Sequence, residues 1–162
     1  MKKLLIMLAL LLPMAIWAQK TPVDRLFEKY ANKEGFTTVN ISGKLLGFAS
    51  ELDTGDKETS EMLSNLSGIR ILSVEDSEIT GKLDFFKELD KEGFFDNKEY
   101  EVLMEVTESD EVVRFLARDG GGGKFSDLLL VVGGKDNALI SISGLIDPEN
   151  IGKITEIGRA HV

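Results

Sequence analysis

The sequence predicts an α+β fold: an antiparallel sheet, formed by a C-terminal four-strand meander plus N-terminal strands, with helices packed mainly on one face. Three observations carry this. Residues 124–144 place two apolar runs, 128–132 and 138–142, around Gly-Gly-Lys-Asp-Asn, the pattern of a β-hairpin. Residues 100–107 and 111–118 form a second strand pair across Glu108-Ser109-Asp110. Helical periodicity, by contrast, is concentrated before residue 92.

Taken in order, residues 22–33 are helical. Thr21 is placed to cap, Pro22 stands at the first turn, and Val23, Leu26, Phe27, Tyr30 and Ala31 make an apolar stripe ended by Gly35. Residues 36–42 alternate as a strand. Residues 44–52 and 58–66 read as two short helices separated by Asp53-Thr54-Gly55-Asp56, with Gly68 as a C-cap. A β-branched strand follows at 69–75, then a helix around 80–91 with Leu83, Phe86 and Leu89 inward. In the central hairpin the first arm is apolar on both faces, so Leu130 is expected to be fully buried. The second arm alternates Leu139, Ser141 and Ser143 against Ala138, Ile140 and Ile142, as a half-solvated strand does. Asp147-Pro148-Glu149 opens a last helix.

Both ends differ from this domain, which is read as residues 19–155. Residues 1–18 have the form of a cleaved secretory signal peptide: Lys2 and Lys3, an apolar run from 4 to 12, Pro13, and Ala18 at the cut. No cysteine follows, so lipoprotein lipidation is unavailable and a periplasmic or secreted product without a stable membrane anchor is expected. Residues 156–162, EIGRAHV, are read as a non-native tail. The codons GAG ATC GGA AGA GCA CAC GTC would encode them, and from ATC onward that string matches a common sequencing adapter. Native sequence is then expected to stop near Thr155.

Charge and residue usage narrow the function. With 28 acidic and 19 basic residues the formal charge is −9, which repels nucleic acid and anionic lipid. There is no cysteine, and the single histidine, His161, lies in the suspect tail. Thiolate chemistry and a histidine-based hydrolase triad are therefore excluded on this reading. Gly120–123 with Lys124 do not make a phosphate loop, because they join two strands and Phe125 follows the lysine. Residues 53–58 cluster carboxylates without calcium-loop spacing. Asp84, Glu88 and Glu92 share a helix side with Lys87 and Lys91, as on a solvated face. The sequence nominates no catalytic, cofactor-binding or metal-ligating residue. Its one candidate contact is Phe85: adjacent to Phe86, it falls off the Leu83–Phe86–Leu89 stripe and becomes a candidate partner surface.

Across these blocks (LFEKY at 26–30, GFTTVNIS at 35–42, GIRILSVE at 68–75, LLLVVGG and ISISGLID up to Asp147) the chain resembles the DUF4252 family of small secreted Bacteroidetes proteins. The resemblance spans residues 1–155 and implies an α+β envelope protein, with a gene neighbourhood that includes extracytoplasmic sigma-factor regulators; it supplies no active-site residues. The expectation is a non-enzymatic binding or structural protein with an envelope protein partner. The alternatives are a carboxylate-based hydrolase of an envelope polymer, or an accessory in a sigma-factor pathway.

Overall fold

The computed structural model describes residues 19–52 and 56–152. The signal-peptide reading, the Asp53–Gly55 part of the acidic loop and the suspect tail lie outside the described residues. The elements are α1 (Pro22–Tyr30), β1 (Phe36–Ser42), α2 (Gly43–Leu52), α3 (Lys57–Asn65), β2 (Leu66–Val74), α4 (Ser77–Thr80), α5 (Phe85–Lys91), β3 (Tyr100–Thr107), β4 (Glu111–Gly121), β5 (Lys124–Gly134) and β6 (Ala138–Ile146), then a 3₁₀ turn at Pro148–Asn150. The six strands form one sheet in the order β1-β2-β6-β5-β4-β3, and every neighbouring pair is antiparallel. The meander β3 to β6 thus docks on the β1–β2 pair through β6. The α+β class and antiparallel sheet are those the sequence indicates.

Local chemistry sets most boundaries. Thr21 and Asp24 close a reciprocal capping box, and Pro22 occupies the first turn, so α1 starts where its sequence says. Asp56 accepts the Glu58 amide and caps α3. Gly68 does not cap that helix: α3 ends at Asn65, and the chain turns extended at Leu66. The single helix expected at 80–91 is two, because Asp84 takes up an extended N-cap conformation and accepts the Lys87 amide, restarting the helix at Phe85. The glycine run is the tip of the β4–β5 hairpin, where Gly121, Gly122 and Gly123 all have positive φ (82°, 63° and 76°).

The pleat divides the sheet into two unlike faces. Leu72, Leu116, Leu129, Val131 and Leu139 point to one face and pack under Val23, Leu26, Phe27 and Tyr30 of α1 and Phe85 and Leu89 of α5. Burying such a side chain contributes about 1.5–3 kcal/mol, so this cluster is the main core. On the other face Ala117, Leu128 and Ile146 pack with Leu46 of α2 and with Leu66, and α2 and α3 lie against that end alone.

Leu130 corrects an expectation. It is only half-buried, whereas Leu128, Leu129 and Val131 are buried. Leu129 and Val131 reach the core under α1 and α5, while Leu128 and Leu130 point to the opposite face. There the cluster around α2 takes in Leu128 and stops short of Leu130.

Candidate functional site

Three surfaces could do work. The first is a polar cleft on the face carrying α1. Register sets Ser143, Asp127, Arg118 and Tyr100 opposite one another on β6, β5, β4 and β3, and Arg70 of β2 opposite Ser141 of β6. The first turn of α1 brings Thr21 and Asp24 over this row, enclosing about 200 Å³. Asp24 accepts a hydrogen bond from Arg70 at 2.8 Å, and Arg118 donates to Asp127 and to the Ser126 hydroxyl. The Arg70 guanidinium also lies 4.5 Å from the Phe27 ring centre.

The electrostatics of the cleft are those of matched pairs. Burial pushes the Asp24 carboxyl up, but hydrogen bonds from Arg70 and Thr21 outweigh it and hold the group below the ordinary range. Burial lowers Arg118 as well, and the adjacent Asp127 charge reverses that, so its net shift is upward. Tyr100 is raised by burial, with the Asp127 charge adding to the effect. An acid catalyst at neutral pH needs a carboxyl that keeps its proton. Asp24 is instead ionised and committed to Arg70.

The second surface is a wide cleft of about 670 Å³ between α4, α5 and the β5–β6 turn, where Lys82, Lys87, Lys91 and Lys135 alternate with Asp84, Glu88 and Asp110. Two of its acids, Asp84 and Glu88, are engaged structurally. Asp84 caps α5, and Glu88 accepts from the Tyr30 hydroxyl and from Lys29, while Glu92 further along accepts from Arg25. The acidic side of α5 is thus the seam to α1, a role beyond that of a solvated face.

The third surface is the uncovered half of the sheet's other face. Val39, Ile71, Ile140, Leu130, Phe115 and Met104 stand opposite one another in a single row across all six strands. The next row is Thr37, Ser73, Ala138, Val132, Val113 and Val106. Neither row contains a charge. Val39, Met104 and Val106 are 38%, 49% and 43% exposed. Beside them, α2 leaves Leu45, Phe48 and Leu52 exposed at helical spacing. Alternation within each strand was readable in the sequence; that six apolar halves fall into register was not, because strand order is set by tertiary pairing.

Phe85, the residue nominated as a partner surface, is fully buried against Tyr30 and the main core. The reason is the helix restart at Asp84, which changes the phase of α5. Phe86 is the ring at the edge: it stacks on Phe95 at 4.5 Å, and the Arg114 guanidinium caps both rings.

Comparison with family models matches residues 30–154 to one described as a domain of unknown function, DUF4252. The chain belongs to the DUF4252 family. Neither the curated proteins nor the solved structures yield a match. The matched span of this DUF4252 chain takes in all six strands and so the apolar rows and the strand side of the polar cleft, but it begins after Thr21 and Asp24, which close the cleft from α1. Among the described residues no helix is long and apolar enough to cross a membrane, and no group of three or more acidic, histidine or cysteine side chains is placed to hold a metal ion.

Proposed function

We propose that this chain is a non-enzymatic interaction protein of the bacterial envelope, secreted or periplasmic, whose working surface is the uncovered sheet face and whose ligand is another polypeptide. The two charge-free rows that span all six strands carry the reading. Water-exposed apolar area of this continuity is costly to display, and it is the usual mark of a surface that meets a partner. The leader-like residues 1–18 support an envelope location, and the family resemblance supports a Bacteroidetes origin. The paired state of Asp24 supports the non-enzymatic part.

A photo-crosslinking amino acid placed at Val39, Met104 or Val106 in cells tests the reading, with Glu28 as the control position. Covalent protein adducts are expected from the three apolar positions and none from Glu28. Two results would overturn it: no adduct from any of the three, or hydrolysis of an envelope polymer by the purified protein that Asp127→Asn abolishes.

A further inference from the structure

The two edges of the sheet are built differently. β3 is guarded: it carries Glu101 and Glu105, and its pairing with β4 is interrupted by a bulge between Val102 and Met104. Charges and bulges at an edge are devices that block pairing with a further strand. The opposite edge, β1, has neither. Its sequence, FTTVNIS, has no charge and no proline, and all seven residues pair regularly with β2. Its other side pairs with no strand among the described residues, and Val39, Asn40 and Ser42 are exposed.

We infer that the partner is a second copy of this chain, and that two copies join β1 to β1 about a two-fold axis through Val39. The inference rests on the interaction reading above. An antiparallel pair with that centre sets Thr37 opposite Ile41, Thr38 opposite Asn40 and Val39 opposite its own copy, so like face meets like face. Two six-stranded sheets then run on as one. Chain acidity argues against self-association in general, but no charge enters this strand pair. At β3 the bulge between Val102 and Met104 breaks the regular register that such a pairing needs, and Glu101 and Glu105 would bring charge to both faces of it. Self-pairing therefore selects β1.

A strand pair alone buries little surface, and stable interfaces need more. The shape of the molecule supplies it. α2 follows directly on Ser42 and lies over β1 and β2, so it is the helix nearest this edge. Antiparallel pairing brings the Ser42 end of one copy to the Phe36 end of the other, where the other's uncovered rows begin. The exposed Leu45, Phe48 and Leu52 of each α2 are then positioned to meet the partner's apolar face, twice over by symmetry.

Sedimentation of the full chain, its Val39→Lys and Val39→Asp variants, and their equimolar mixture tests this. Wild type is expected to be dimeric, and to tighten as salt rises and the Debye length falls from about 30 Å to about 8 Å, because repulsion between the acidic bodies is screened. Each variant should dimerise at least about tenfold more weakly, with a far-ultraviolet circular dichroism spectrum like that of wild type because Val39 is exposed. Its melting temperature should no longer rise with protein concentration as that of a dimeric wild type does. The mixture should recover the dimer, as only a two-fold contact at position 39 sets lysine against aspartate. A monomeric wild type, a dimer that either variant leaves intact, or a mixture that stays monomeric would overturn the inference. A monomer that still gives adducts at Val39, Met104 or Val106 with a different protein overturns self-pairing and leaves the interaction reading standing. A monomer without adducts removes both.

Discussion

Thr38 buries its hydroxyl oxygen with no hydrogen-bond partner in the protein, on the face of β1 opposite Val39. Its neighbour across the pair is Leu72, fully buried in the main core. An unsatisfied hydroxyl costs about 1–3 kcal/mol, while valine has the same shape and no polar atom to desolvate. Thr38→Val is therefore expected to raise unfolding free energy by about 1 kcal/mol, and the melting temperature by about 2–4 °C for a chain of this size. Denaturant titration with an unchanged slope measures it; a lower midpoint would mean the hydroxyl has a partner in solution. The alternation of β1 was legible in the sequence, but the isolation of this oxygen was not. Leu130 makes the same point from the apolar side. Its residue type and neighbours forecast burial, and only the reach of α2 and α3 decides how much of it water sees.

At the scale of elements, Asn137 does what a helix and a hairpin cannot do for themselves. It is 3% exposed; its side-chain amide donates to the carbonyl oxygens of Leu83 and Gly134, and its side-chain oxygen accepts the Phe85 amide. One residue thereby holds the start of α5 to the β5–β6 turn. Gly133 lets the two approach, since a Cβ there would lie 2.6 Å from the Phe86 amide nitrogen. Asn137→Ala leaves three polar backbone or turn groups without partners and is expected to cost about 2–4 kcal/mol. Hydrogen exchange should localise the loss, with the Phe85 amide losing protection first; uniform loss across the sheet would show that Asn137 stabilises the core generally. In the sequence Asn137 reads as an ordinary turn residue. Two of its three partners, Leu83 and Phe85, lie more than fifty positions away, which no local pattern encodes. The exchange of roles between Phe85 and Phe86 has the same origin, because the Asp84 cap, and not the apolar stripe, sets the phase of α5.

On the scale of the whole molecule, one sheet separates two chemistries. One face carries α1, α5, the main core and the paired charges of Asp24, Arg70, Arg118 and Asp127; the other carries α2 and α3 at one end and the uncharged rows beyond them. Strand positions were legible from alternation and turn residues, and the absence of cysteine from composition. The sorting of the two faces required strand order. Tyr100 reports on the charged side. Burial and then the Asp127 charge raise its pKa above the ordinary 10.0 by favouring the neutral phenol. A group raised in this way contributes stability that is fully present below its unfolded value and is lost as pH rises through the folded one. Tyr30 is the other tyrosine, so in a Tyr30→Phe background the phenolate absorbance follows Tyr100 alone. The midpoint is expected above 10.0 and should fall when Asp127→Asn removes the negative charge and leaves Arg118 to favour the phenolate. If Asp127→Asn leaves the midpoint unmoved, burial alone sets the tyrosine, and the row Ser143–Asp127–Arg118–Tyr100 is not electrostatically coupled across its four strands.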